Sequence, residues 1–137
     1  MTALLDTGYL YALADSTHQN HARALELAGN IREDLMLPLT VLPEVCYLLQ
    51  SRLGHAALCT FVRQVASSQI HLEPLQKSDL PRVHEILIQY ADSGLDFVDA
   101  SIAVIAERHD VRRILTVDRR HFGLLRPNHC DYFEILP

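Results

Sequence analysis

Short apolar runs alternate with longer stretches of helical periodicity along this chain. Five runs of four or five residues, each bounded by polar or turn-forming residues, have the length and composition of buried or half-buried strands. These runs are Thr2–Leu5, Leu35–Leu39, Ile70–Pro74, Ile114–Val117 and Tyr132–Leu136. The first run stops at Asp6-Thr7-Gly8, which predicts a polar turn, and the last run is expected to form an edge strand.

The segments between these runs carry apolar residues at the spacing of one helix face. The predicted helices are Tyr9–Ala14, His18–Ala28, a helix capped by Thr40 that reaches Leu53, His55–Ser67, a helix that opens at Pro81 and ends before Ser93-Gly94, and Asp96–Glu107. In the second helix, Ala22, Leu25 and Ala28 are expected to face the core. Val62 in the fourth helix is expected to face inward too.

Short strands separated by helices predict an α/β fold with a mainly parallel sheet and helices on both of its faces. The 137 residues fall within the usual size of one domain, so we expect a single domain over residues 1–137. No internal repeat or linker divides the sequence.

Composition and charge narrow the class of protein. Apolar residues make up 49% of the chain and charged residues 21%, which is typical of globular proteins. The formal net charge of -5 argues against a protein that coats nucleic acid with its whole surface. It is compatible with a nuclease, because a bound divalent ion reverses the local sign of an acidic site.

The cysteines and the apolar segments indicate a cytoplasmic protein. Cys46, Cys59 and Cys130 are odd in number and form no CxxC pair, which fits a reducing compartment. No export signal and no run long enough to span a membrane is found, so no membrane association is expected.

Four acidic residues are predicted to meet at one edge of the sheet. Asp6 and Asp118 each follow a predicted strand, while Glu44 and Asp99 lie in the early turns of helices that start from the same edge. Ligand sites of parallel sheets lie at the carboxyl ends of the strands. Asp99 is the strongest candidate, because its helix is otherwise apolar and an unpaired buried carboxylate is costly.

Four converging carboxylates require a cation, since repulsion and desolvation would otherwise protonate some of them. A set of oxygen ligands favours Mg²⁺ or Mn²⁺ over zinc or copper. Such ions polarise phosphoryl groups and lower the pKa of bound water, so hydrolysis of a phosphodiester bond is the expected chemistry.

Other polar residues have structural and functional interpretations that the sequence leaves open. Asp96 is either an auxiliary acid or the N-cap of the helix that carries Asp99. Arg119, Arg120 and His121 either contact phosphates, act near the leaving group, or form a solvated loop. His18 and His21 have a spacing that metal sites use, but they lack a third ligand nearby, which favours exposed residues of a first helical turn.

Four segments together resemble the PIN-domain family and, within it, the VapC toxins of bacterial toxin-antitoxin pairs. They are Leu5-Asp6-Thr7-Gly8, Thr40-Val41-Leu42-Pro43-Glu44-Val45, Asp99-Ala100-Ser101-Ile102-Ala103, and Leu115-Thr116-Val117-Asp118 with Phe122. None is specific alone, but their order and contexts match over nearly the whole chain.

The resemblance implies a three-layer PIN-like fold and an Mg²⁺- or Mn²⁺-dependent endoribonuclease. It implies that Asp6, Glu44, Asp99 and Asp118 ligate or position the ion and the attacking water, with Thr7 orienting Asp6. It further implies an RNA substrate, a protein antitoxin bound in a groove among the first helices, and a homodimer.

Several alternatives stay open at this point. Asp6-Thr7-Gly8 also occurs at the catalytic aspartate of aspartic proteases, but those enzymes are mainly β and would leave the other acids without a role. A phosphatase with Asp6 as nucleophile lacks a neighbouring second aspartate and an obvious lysine partner other than Lys77. A nuclease acting on DNA, an RNA-processing nuclease without an antitoxin, and a catalytically silent RNA- or protein-binding module complete the set.

Overall fold

Five short strands form one sheet in the computed structural model, which describes residues 1–137. The strands are β1 (Thr2–Leu5), β2 (Asp34–Pro38), β3 (His71–Glu73), β4 (Arg113–Leu115) and β5 (Glu134–Leu136). All five predicted runs therefore overlap a strand. Their spatial order is β3-β2-β1-β4-β5, and every neighbouring pair is parallel.

Strand β1 is the central strand, which explains its apolar sequence. Leu4 pairs with Met36 of β2 and with Ile114 of β4, so β1 has hydrogen-bonded neighbours on both sides. A strand covered on both faces and both edges needs apolar residues throughout. The last strand, β5, lies at an edge of the sheet, as predicted.

Seven helices connect and cover the strands. They are α1 (Thr7–Ala14), α2 (His21–Asn30), α3 (Val41–Leu53), α4 (His55–Ser67), α5 (Leu80–Gln89), α6 (Phe97–His109) and α7 (Arg119–Leu124). Two short 3₁₀ turns, Lys77–Asp79 and Ala91–Ser93, precede α5 and α6. Gly54 separates α3 from α4 at a φ of 101°, a conformation that favours glycine.

The connections divide the helices into two layers. From β1 the chain steps to β2 and then β3 in one direction, whereas from β4 it steps to β5 in the opposite direction. Because crossovers between parallel strands are right-handed, α1 to α4 cover one face and α5 to α7 the other. This three-layer arrangement confirms the predicted α/β class and places a topological switch point between β1 and β4.

Helix α6 is the most buried helix, as its sequence predicts. Eight consecutive residues, Asp99–Ala106, are buried. The predicted inward face of α2 is wrong, and so is one position on the predicted face of α4. In α2, Ala24 is buried while Leu25 is 56% exposed, because alanines on several sides of this surface helix give its apolar face little contrast. Val62 of α4 is likewise exposed.

The segment after β1 differs from its prediction as well. Thr7 and Gly8 begin α1 and do not form a turn. A Cβ atom on Gly8 would lie only 2.8 Å from Cγ2 of Val117, so the absence of a side chain lets α1 approach the segment that follows β4. This close approach brings the two strand ends that carry Asp6 and Asp118 together.

No helix of the protein has the length and apolar character needed to cross a membrane.

Candidate active site

Asp6 projects from the carboxyl end of the central strand at the switch point. Its backbone amide donates to the carbonyl of Leu115 at 3.0 Å, which extends the pairing of β1 with β4 by one residue. Asp6 then occupies the N-cap position of α1, and only 6% of the residue is exposed. The carboxylate is therefore buried where the chain leaves β1.

A threonine hydroxyl connects Asp6 to Asp118. Thr116 Oγ1 donates to Asp6 Oδ2 at 2.6 Å and accepts a hydrogen bond from the backbone amide of Asp118 at 2.9 Å. Thr116 is fully buried. Thr7 Oγ1 is buried without a hydrogen-bond partner and does not bond to Asp6, whereas the Thr7 backbone amide lies close enough to lower the pKa of the Asp6 carboxyl group.

Asp96 and Asp99 form a reciprocal cap at the start of α6. Asp96 Oδ1 accepts from the Asp99 amide at 2.9 Å, and Asp99 Oδ2 accepts from the Asp96 amide at 3.3 Å. The structure confirms the N-cap interpretation of Asp96. The cap also fixes the Asp99 carboxylate, which is 8% exposed, at the site edge of the helix.

Asp118 lies three residues beyond the end of β4 and caps α7. This short helix was not predicted from the sequence. Asp118 Oδ1 accepts from the backbone amide of His121 at 3.1 Å. This cap brings the imidazole back toward the acids, with His121 Nδ1 at 2.9 Å from Asp118 Oδ2 and 3.3 Å from Asp99 Oδ2. Ligand atoms of Asp99, Asp118 and His121 all lie within 4.8 Å of one another.

Glu44 lies at the rim of this group. It occupies the first turn of α3 and is partly exposed. It is close enough to Asp6 for its negative charge to act on that carboxyl group, but Glu44 and Asp6 both lie outside the tight group of Asp99, Asp118 and His121. Thr40 precedes α3 as predicted, although its hydroxyl contacts Ser101 Oγ at 2.6 Å and caps no backbone amide.

The remaining polar candidates have mainly structural contacts. Arg119, which the sequence left as a phosphate ligand or a loop residue, donates to the carbonyl of Pro137. His21 contacts the carbonyl of Ala12 through Nδ1 at 2.8 Å, and His18 Nδ1 accepts from the amide of Asn20 at 3.0 Å. Neither histidine belongs to the site.

Comparison with known proteins identifies the family. The sequence-family model of the PIN domain matches residues 3–124 of this chain. The chain belongs to the PIN-domain family. Ribonuclease VapC26 of Mycobacterium tuberculosis is 31% identical to this PIN domain over 134 residues, which cover 98% of this chain and 99% of that protein.

Solved structures share the same PIN fold. VapC20 of Mycobacterium tuberculosis, a toxin that cleaves the sarcin-ricin loop, has a TM-score of 0.85 at 21% identity, covering 98% of this chain and 99% of that one. VapBC2 of Rickettsia felis, bound to a DNA fragment from its promoter, has a TM-score of 0.72 at 15% identity, with both chains fully covered. The parallel sheet and its crossovers are thus those of the PIN fold.

Burial gives the two innermost carboxyl groups of the PIN domain unusual proton affinities. It raises the pKa of Asp6 to about 6 against the opposing hydrogen bond from Thr116, and the nearby charges of Asp118 and Glu44 raise it further. Burial also raises the pKa of Asp99 to about 7, and the charge of Asp96 adds to the rise. The folded protein therefore holds carboxylates that lack sufficient positive charge around them.

The residues present fit a divalent cation. PIN-domain nucleases are generally dependent on divalent metal ions. In this chain, a carboxylate oxygen of Asp99, one of Asp118 and a ring nitrogen of His121 lie within 4.8 Å of one another, and two buried polar atoms, Thr7 Oγ1 and His121 Nδ1, have no hydrogen-bond partner. Orphaned polar atoms next to destabilised carboxylates are expected where an ion and its water belong.

Proposed function

We propose that this PIN domain, over residues 1–137, is a divalent-metal-dependent endoribonuclease with its active site at Asp6, Glu44, Asp99 and Asp118. The buried Asp6 and Asp99 carboxyl groups lie close enough at the switch point of the sheet for the charge of Asp6 to raise the pKa of Asp99, and this proximity is the observation that carries the proposal. The identity of 31% with a ribonuclease over nearly the whole chain supports RNA as the substrate.

Each acid has a role that follows from its surroundings. Asp6, Asp99 and Asp118 hold Mg²⁺ or Mn²⁺, and Thr116 keeps one oxygen of Asp6 oriented. A divalent ion, when bound, supplies Lewis-acid polarisation of the phosphoryl group. Glu44, partly exposed at the rim, orients the attacking water and accepts its proton.

Cleavage assays test this assignment. Purified protein is incubated with labelled RNA and with matched single-stranded DNA, in Mg²⁺, Mn²⁺ or EDTA, beside two variants. Asp99→Asn is expected to lower cleavage at least about 100-fold, since loss of outer-sphere partners alone costs roughly 10- to 100-fold. Asp92→Asn, an exposed aspartate of the Ala91–Ser93 turn, is the matched control and is expected to cleave like wild type.

The outcomes separate the alternatives. Cleavage of RNA at few positions that requires metal and Asp99 supports the proposal. Cleavage of DNA in place of RNA would reassign the substrate, and equal cleavage by Asp99→Asn would reject the site. If neither nucleic acid is cut under any metal, a catalytically silent binding module becomes the better interpretation.

We propose further that the protein is the toxin of a toxin-antitoxin pair. Similar folds occur in the VapC20 toxin and in a toxin-antitoxin complex from Klebsiella pneumoniae, which matches with a TM-score of 0.68 at 20% identity. In this chain, α1 and α4 border an apolar groove of about 250 Å³ that suits an apolar segment of an antitoxin. Its lining includes Leu10, Leu13, Phe61, Val65 and Ile70.

This part of the proposal predicts that partner binding and cleavage are separable. A Val65→Glu variant is expected to lose inhibition by the antitoxin while it still cleaves RNA, because a charge in the groove opposes burial of apolar groups. Unchanged inhibition would move the antitoxin to another surface. Absence of any inhibiting partner would favour an RNA-processing nuclease. The homodimer stays a prediction, which sedimentation equilibrium of the purified chain tests.

A further inference from the structure

A half-buried histidine lies against two of the four candidate acids, and the oxygen-only set of ligands expected from the sequence leaves it out. His121 Nδ1 lies 2.9 Å from Asp118 Oδ2 and 3.3 Å from Asp99 Oδ2. Nδ1 is shielded from solvent, yet neither contact has hydrogen-bond geometry. A buried ring nitrogen without a partner requires an explanation.

The positions of these three atoms match those of ligands that share one ion. Ligand atoms at about 2.1 Å from a six-coordinate ion, and adjacent in its shell, are separated by roughly 3 Å. The two distances from His121 Nδ1 bracket that value. A neutral imidazole presents its lone pair to a cation at that point.

The fold holds the imidazole in this position. Asp118 Oδ1 accepts a hydrogen bond from the backbone amide of His121 at the start of α7. Asp118 therefore both supplies one carboxylate and fixes the turn that brings the His121 imidazole toward the acids. Phe122, the next residue, is fully buried and anchors α7 against the core. The placement of His121 thus follows from the local structure after β4.

We infer that His121 supplies a nitrogen ligand to the active-site ion, through Nδ1, beside Asp99 and Asp118. This inference rests on the proposed metal-dependent function. Imidazole binds first-row transition ions well, whereas Mg²⁺ selects oxygen ligands and retains its waters. The site therefore prefers Mn²⁺ over Mg²⁺, and His121 is the residue that sets this preference.

Direct spectroscopy of the full-length protein with Mn²⁺ tests the nitrogen ligand without any activity measurement. Pulsed electron paramagnetic resonance is expected to detect coupling of the Mn²⁺ electron spin to one directly bound ¹⁴N nucleus. The coupling is expected to persist in His84→Asn, a matched change at an exposed histidine of α5, and to vanish in His121→Asn.

Calorimetric titrations with Mn²⁺ and Mg²⁺ measure the preference. His121→Asn is expected to weaken Mn²⁺ binding by about tenfold or more and to change Mg²⁺ binding much less, so that the ratio of the two affinities falls. Asp99→Asn is expected to weaken the binding of both ions.

The outcomes distinguish failure of this inference from failure of the proposed function. If Mn²⁺ binding depends on Asp99 but wild type has no ¹⁴N coupling, the metal site stands and His121 is not a ligand. If Asp99→Asn binds Mn²⁺ like wild type, the proposed metal site itself is wrong. The wild-type spectrum decides about the nitrogen ligand even if a His121 variant does not fold.

Discussion

Asp6→Asn is expected to stabilise the metal-free protein while it weakens ion binding. Burial raises the pKa of Asp6 from its ordinary value of 3.8 to about 6. One pKa unit corresponds to about 1.4 kcal/mol, so ionised Asp6 costs the folded state about 3 kcal/mol at pH 8. Asparagine has nearly the same shape, carries no charge, and retains an oxygen that accepts from Thr116.

The sign follows from the proton affinities of the two states. Because the pKa of Asp6 is higher in the folded protein, the folded state gains from protonation at acidic pH, and this gain is lost as the pH rises through about 6. The variant should therefore exceed wild type in free energy of unfolding by about 3 kcal/mol at pH 8 and by about half as much at pH 5. At pH 8 this corresponds to a difference in Tm of roughly 10 °C.

Thermal and urea denaturation in EDTA at pH 5 and pH 8 measure the difference. Mn²⁺ added at about 100 times its Kd should then stabilise wild type by about 2.7 kcal/mol and the variant much less. Asp92→Asn, at an exposed position, should behave as wild type throughout. A variant that is less stable than wild type at pH 8, or a difference that is independent of pH, would refute the reasoning.

Three further substitutions test features around the site. Gly8→Ala should lower the free energy of unfolding by about 1–3 kcal/mol, because the added Cβ would lie 2.8 Å from Cγ2 of Val117. Urea denaturation should show that adding Val117→Ala restores part of this free energy. Thr116→Val should weaken Mn²⁺ binding about 10-fold or more in calorimetry, with Thr116→Ser retaining it, since the hydroxyl at position 116 orients the Asp6 carboxylate. Glu73→Gln should lower the free energy of unfolding by about 2 kcal/mol at pH 7 in urea denaturation, because it weakens the 2.7 Å ion pair with Arg108. The difference should shrink as the pH falls below 4.5, because protonation of Glu73 then begins to remove the stabilisation that the ionised carboxylate gives the folded wild type.

Most of the fold could be predicted because burial leaves a periodic signal in the sequence. The central strand and α6 have apolar residues on every side, and α4 begins and ends at the predicted residues, His55 and Ser67. Prediction failed where this signal is weak. Helix α7 spans only six residues, which is too few for a helical period to emerge.

The acids of the candidate site were predictable individually, whereas the hydrogen bonds and contacts that hold them in place were not. Asp6 and Asp99 could be located because each occupies the boundary of an apolar element, where a carboxylate is costly. The roles of Thr116 and His121 depend on side-chain directions in the turn after β4, which residue spacing does not encode. The signals available were the threonine two residues before Asp118 and the histidine three residues after it.

The pairing of the first strand with the fourth has a consequence for protein synthesis. Asp6 emerges early from the ribosome, but the strand that holds it in place, Arg113–Leu115, and the acid beyond that strand are made more than a hundred residues later. A nascent chain that ends before β4 lacks both the strand that pairs with β1 and Asp118, so the candidate site is still incomplete. The candidate active site is therefore completed only after nearly all of the sequence has been translated, and the nascent chain has no assembled site before that point.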